Sequence, residues 1–163
     1  MIHGDVGLNI FNTEALRVAK DLGLKSAALS FELRLKQIED ISKCIDTEII
    51  TYGRLPLMTT ENCVIKSALG TCSCDNSPQL RDRRGLMFPV LKTFGCRSVI
   101  YNTKKIFLAD KQRDYSSIGL WAERLSFTTE NARECMLVTS RYMGLDTYEP
   151  QGCTSGLYYR GVE

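Results

Sequence analysis

Residues 6–52 alternate short apolar runs with segments of helical periodicity, and this constrains the fold more than any other feature of the chain. Residues 6–11 alternate and then run apolar, and Asn12-Thr13-Glu14 follows as a helix start. Ala15, Val18, Ala19 and Leu22 recur at helical spacing, and Gly23 closes that segment. Residues 25–31 read as a short buried strand. Residues 33–45 read as a helix with Leu35, Ile38, Ile41 and Ile45 on one side, and residues 48–52 as a third strand. The order βαβαβ predicts a parallel sheet covered by helices.

The pattern stops at Gly53. Residues 53–97 show no sustained periodicity and hold four of the seven cysteines and three of the four prolines, so an irregular excursion is expected there. Residues 99–101 and 106–108 read as short strands, 111–118 as a helix closed by Gly119, and 120–127 as the last strand. Thr128 or Thr129 then caps a helix carrying Ala132, Cys135, Met136, Thr139, Tyr142 and Met143, and residues 146–163 form an irregular tail. Phe11-Asn12-Thr13, Gly23-Leu24 and Leu29-Ser30-Phe31 are echoed by Tyr101-Asn102-Thr103, Gly119-Leu120 and Leu125-Ser126-Phe127. Such repeated βα units suit a (β/α) barrel, yet too few strands are visible to close the eight-stranded form. The expected fold class is α/β: one domain over 1–163, either an open sheet or a partial (β/α) TIM-type barrel with an irregular cysteine-bearing insertion.

Composition narrows the chemistry. With 44% hydrophobic and 25% charged residues the chain is neither disordered nor collagen-like, and no apolar run approaches a membrane span. No basic stretch precedes an apolar run near Met1, so a cytoplasmic setting with reduced thiols is expected. His3 is the single imidazole. A HExxH zinc site is therefore impossible, and a Ser-His-Asp or Cys-His site would have to recruit His3. No GxGxxG or Walker sequence is present. The net charge of +2 is too small for the field of a strong nucleic-acid binder and leaves only a local patch. Arg81, Arg83 and Arg84 around Asp82, with Arg97 and Lys104-Lys105, read either as a phosphate-tracking patch for RNA or as solvated loop charge.

Cys63, Cys72, Cys74 and Cys96 fall within the excursion as C-x8-C-x-C-x21-C. Four thiolates there can hold an iron–sulfur cluster or zinc, or remain unligated; the absence of C-x2-C pairs leans towards the cluster. Cys44 and Cys135 read as buried helix thiols, and Cys153 stands in the tail without a partner. Ligands of parallel α/β folds gather at the carboxyl ends of strands. Asn9, Asn12, Ser30, Glu32, Tyr52, Arg54, Ser126 and Glu130 occupy such ends, while Asn12, Ser30 and Thr128 also read as helix N-caps. Arg54 follows a buried strand with no carboxylate nearby in sequence, which suits a bound carboxylate or phosphate.

Taken together, several motifs resemble the collagenase-like peptidase family, the U32 peptidases. They are Gly4-Asp5-Val6-Gly7-Leu8-Asn9-Ile10-Phe11-Asn12, Leu29-Ser30-Phe31-Glu32-Leu33 and Tyr52-Gly53-Arg54-Leu55-Pro56-Leu57-Met58. Glu61-Asn62-Cys63, Asp82-Arg83-Arg84-Gly85 with Phe88-Pro89, Cys96-Arg97 and Tyr158-Tyr159-Arg160-Gly161-Val162 extend the match. The resemblance implies the later part of a (β/α) barrel, with the remainder on a longer chain or another subunit. It also implies a four-iron cluster on four cysteines, with Cys63, Cys72 or Cys74, and Cys96 at the matching positions. Relatives hydroxylate transfer or ribosomal RNA, or the ubiquinone ring. The expected function is thus hydroxylation-type modification of RNA, with a peptidase acting on collagen-like or other peptides, or a truncated non-catalytic fragment, as alternatives. Leu157 stands where many relatives have a histidine. Glu32, Arg54 and Glu61 are the candidate catalytic residues, and Asn9, Asn12, Tyr52, Arg54 and Arg83 the candidate substrate contacts.

Overall fold

The computed structural model of the chain describes residues 1–72 and 78–161. Asn12 takes extended backbone angles and its side chain accepts the Ala15 N–H at 2.8 Å, so α1 (Thr13–Asp21) starts where the sequence places it. Leu16 and Ala19 turn its apolar face inward. Then come β2 (Leu24–Ala28), α2 (Leu35–Asp40) with Ile38 buried, and β3 (Asp46–Gly53). Strand β1 (Ile2–Gly4) runs parallel to β2 and β2 parallel to β3, while β9 (Ala122–Ser126) pairs in parallel with β3. The core forms where α1 and α2 cover this sheet, around Leu16, Ala27, Leu29, Ile38 and Ile49.

Side chains from both ends of the parallel sheet meet over one of its faces. Arg124 on β9 pairs with Glu48 on β3 and with Asp5 just beyond β1, and the Trp121 ring stacks on His3 with centroids 6.5 Å apart. The sheet therefore curls about that face. Strands β1 and β9 do not pair with each other among the described residues, and no barrel closes. The expected α/β class holds, with parallel and antiparallel sheets together, and a TIM-type barrel is not established by these strands.

The excursion is not irregular. It is mostly a second, antiparallel sheet in the order β4-β7-β6-β5, made of β4 (Pro56–Thr60), β5 (Gln79–Arg81), β6 (Met87–Lys92) and β7 (Ser98–Tyr101), with α3 (Val64–Leu69) after β4. These strands are too short to show a period, and Pro56 and Pro89 sit inside them where proline usually marks a break. Residues 99–101 thus belong to this sheet and not to the parallel one. Strand β8 (Ile106–Phe107) joins the parallel sheet antiparallel to β3, with Ile106 opposite Gly53.

Smaller corrections have local causes. Residues 6–11 are not the first strand: Asp5 accepts the Val6 N–H at 2.7 Å, starting a 3-10 turn at Val6–Leu8, and Asn9 turns left-handed (φ 48°). The second helix stops short of residue 45 because Ile41 is extended, which leaves Cys44 beyond it and half-buried. Residues 111–118 hold only α4 (Gln112–Tyr115), entered through a 3-10 turn at Ala109–Lys111. Neither Thr128 nor Thr129 caps α5 (Ala132–Tyr142). Asn131 does, accepting the Glu134 N–H at 2.9 Å while Glu134 accepts the Asn131 N–H at 3.0 Å. Ser30 is no helix cap either; it is buried and accepts the Glu32 N–H at 3.4 Å.

The tail is pinned although it lacks regular elements. Thr154 bridges to Ile106, and Tyr158 is buried with its hydroxyl donating to the Ile50 carbonyl at 2.9 Å. Tyr158→Phe should therefore lower stability by about 1 kcal/mol, read as a shift of the urea midpoint at unchanged m. An unchanged midpoint would show that the tail does not anchor there. Among the described residues, no helix is long and apolar enough to cross a membrane.

Candidate functional site

Two groups of side chains stand out. The first gathers at the carboxyl end of the parallel sheet, where β3 ends in Tyr52 and Gly53, β9 leads into Thr128–Glu130, and Lys105 precedes β8. Glu130 has a fully buried side chain. Its Oε1 receives Lys105 Nζ at 2.8 Å and the Tyr52 hydroxyl at 3.2 Å; its Oε2 receives the Thr128 and Thr129 N–H groups at 2.7 and 3.0 Å. Burial pushes the Glu130 carboxyl up, but Lys105 and the Thr128 amide outweigh it and hold it below the usual range. Burial, and then Glu130, push the Tyr52 phenol far up, so it stays protonated.

Arg54 projects beside this cluster. Its Nη1 donates to the Asn102 carbonyl at 2.8 Å and to the Thr103 carbonyl, and its Nε to Thr129 Oγ1 at 3.3 Å. Arg54, Lys105 and Thr128–Glu130 line one wall of a cleft of about 510 Å³, and Gln79 and Pro89–Leu91 of the second sheet line the other. Cys153 lies close by, packed against the cluster of Tyr52, Phe107 and Tyr142; burial pushes its thiol up while Lys105 and Arg54 draw it back.

The second group is the cysteine cluster. Cys63 caps α3, with Sγ accepting the Lys66 N–H at 3.3 Å; Cys96 closes the 3-10 turn before β7. Cys72 Sγ stands 3.8 Å from both Cys63 Sγ and Cys96 Sγ, and the three sulfurs lie within 4.8 Å of one another. Gly95 and Cys96 are both left-handed (φ 71° and 62°), a costly turn for a non-glycine residue that directs Cys96 back to the group. The hydrogen bond with Cys72, then burial, raise the Cys96 thiol above its ordinary value, and a bound cation would reverse that. Cys74 lies outside the described residues. Three thiolates at this spacing can bind a metal ion. Sulfurs on one tetrahedral ion with bonds of about 2.3 Å stand about 3.8 Å apart. Sulfurs on separate irons stand further apart, and turning the exposed Cys72 side chain outward widens the set.

The other candidates from the sequence are scattered. Glu61 pairs with Arg97 at 2.8 Å on the rim of the cysteine group. Glu32 and Asn9 are exposed, and Asn12 is occupied as a cap. Arg83 is exposed in the turn between β5 and β6. Tyr52 is wholly buried and supports Glu130 instead of meeting a substrate. His3 Nδ1 does lie 2.6 Å from Ser26 Oγ, but Ser26 is 2% exposed, so this pair offers no nucleophile to a peptide. The sequence reads Lys105 as part of a phosphate-tracking patch or as solvated loop charge, and does not join it to Glu130. The signal available is its place one residue before a strand that begins opposite Gly53, which needs the pairing to be seen.

An α/β chain with a curled parallel sheet, a polar cleft at its carboxyl end and a three-thiol centre on an added antiparallel sheet is the class defined by this geometry. Residues 1–78 match the model of peptidase family U32, as the motifs lead one to expect. That stretch carries β1 to β4, α1 to α3, Arg54, Cys63 and Cys72. No curated protein and no solved structure matches the chain.

Proposed function

We propose that the chain is the metal-bearing part of an enzyme of the U32 kind that modifies RNA by hydroxylation-type chemistry, with an iron–sulfur cluster held by Cys63, Cys72, Cys96 and Cys74. The observation that carries this reading is the convergence of three thiols from three separate segments, helped by a strained left-handed turn at Cys96. A bound cluster supplies one-electron redox chemistry that no side chain of the chain provides. Its surroundings belong to the chain: the Cys63 sulfur accepts the Lys66 amide of α3, and the Glu61–Arg97 pair borders the site. Arg81, Arg83 and Arg84 are exposed around a turn whose Asp82 carboxylate is taken by the Arg84 and Leu86 N–H groups at 2.8 Å, which leaves three cations for phosphates. A zinc centre is the second reading, favoured by the 3.8 Å spacing of the sulfurs.

Metal and sulfide analysis of anaerobically purified chain decides between them. The proposal expects iron with acid-labile sulfide and a broad visible absorption, lost in Cys63→Ser and Cys96→Ser. Stoichiometric zinc with no iron establishes the second reading in its place. The RNA part expects Arg83→Gln and Arg84→Gln to weaken binding of a single-stranded RNA and to flatten its salt dependence by about 0.7 per lost phosphate contact. RNA affinity indifferent to both changes would sink that part.

A further inference from the structure

We infer that the cleft at the carboxyl end of the parallel sheet is a receptor for a singly charged phosphodiester, bound by Arg54 and Lys105. This names the substrate contact of the RNA-modifying reading and rests on that reading for the source of the phosphate. It does not depend on which metal the cysteines hold.

Arg54 carries five N–H donors. One on Nε reaches Thr129 Oγ1, and two on Nη1 reach the Asn102 and Thr103 carbonyls. The two on Nη2 have no partner among the described residues. All three acceptors are neutral, and Arg54 forms no ion pair among the described residues. The same bonds fix the plane of the fork, and the open Nη2 edge is therefore preorganised at the wall of the cleft.

Lys105 completes the pair. Glu130 takes one of its three donors at 2.8 Å, whereas Glu134 Oε1 stands at 3.8 Å, beyond hydrogen-bond reach. Two donors remain on a side chain that is 14% exposed and lines the same cleft. Glu130 has no capacity left for a ligand, because both oxygens are filled from Lys105, Tyr52 and two amides. It is a positioning residue.

The free donors select the ligand. Glu130 and Glu134 line the same cleft and balance the two cations overall, but neither pairs with Arg54 and Glu134 is beyond hydrogen-bond reach of Lys105. The open Nη2 edge and the two remaining Lys105 donors are therefore left for one anionic group. The shape favours a phosphodiester over a small carboxylate: about 510 Å³ leaves room for sugars on both sides, against Pro78, Pro89 and Val90 on one wall and Thr128 and Thr129 on the other. Thr128 Oγ1 is buried in that wall without a hydrogen-bond partner among the described residues.

The test is titration of the full 163-residue chain with the dinucleoside monophosphate ApA and with its uncharged methylphosphonate analogue, followed by calorimetry. ApA should bind at least about tenfold more tightly than the analogue, and Arg54→Gln and Lys105→Gln should each remove about tenfold while leaving the analogue unchanged. Arg54 also ties down Asn102 and Thr103, and Lys105 neutralises the buried Glu130, so the comparison of ApA with its methylphosphonate on the unaltered chain decides the matter if either variant fails to fold. Equal binding of the two ligands overturns the proposal. So does acetate that displaces ApA at matched concentration, which would make the cleft a carboxylate site. Long RNA that binds through Arg83 and Arg84 while ApA does not would overturn this inference and leave the RNA reading standing.

Discussion

Glu130→Ala should destabilise the chain by about 3–5 kcal/mol, the range for removing one partner of a buried ion pair. The Glu130 side chain is fully buried and accepts from Lys105, Tyr52 and the Thr128 and Thr129 amides. Alanine leaves all four donors without their acceptor, with only Glu134, 3.8 Å away, to offset the Lys105 charge. Glu130→Gln keeps an oxygen for the amides but loses the charge, so it should cost less. The pH dependence carries the same signature. The folded-state pKa of Glu130 is depressed, so its contribution is fully present above the unfolded value of about 4.3 and is lost as pH falls through the lower folded value. Wild type should therefore lose stability on acidification more steeply than Glu130→Gln. Urea midpoints across pH measure both effects. A midpoint in Glu130→Ala equal to wild type would mean that the pair is not formed in solution.

How far this arrangement was legible in the sequence varies along the chain. Much of the first fifty residues was readable because α1 has an N-cap, a clear apolar stripe and a closing glycine, and because Ile49, Ile50 and Tyr52 mark β3, although residues 6–11 turn instead of extending and α2 is shorter than its apolar spacing implies. The antiparallel sheet was not, since three- to six-residue strands interrupted by Pro56 and Pro89 have no period to detect. The cysteines were singled out by crowding, but their mutual approach depends on β7 pairing with β4, a contact distant in sequence. Arg54 was found by what it lacked, a neighbouring carboxylate. Lys105 and Glu130 were missed as a pair because each looks like a solvated charge or a cap until β8 and β9 are set against β3. Tyr158 was hidden in a segment whose composition reads as a loop, and only the core it fills reveals its role.

The same pairing places an extreme demand on Gly53. It has φ +123°, and a Cβ there would lie 2.1 Å from the Ser126 carbonyl oxygen and 2.9 Å from its carbon. No rotamer relieves that, because the clash is with backbone on β9 and the added atom is fixed to the main chain. Gly53→Ala must therefore either flatten an angle that L-residues avoid or push β9 away from β3, and it should cost about 3 kcal/mol or more. The position matters because Gly53 links Tyr52 to Arg54, and Ser126 leads directly into Thr128–Glu130. Separating these strands moves Glu130 away from Tyr52 and Thr129 away from Arg54. Loss of stability should thus come with loss of ApA binding under conditions where the variant is still folded. Gly7→Ala is the control, since nothing lies within 4 Å of a Cβ there and its change should stay within about 0.5 kcal/mol. A Gly53→Ala chain as stable as Gly7→Ala, measured side by side by thermal and urea denaturation, would show that β3 and β9 do not approach as closely as the 2.1 Å contact requires.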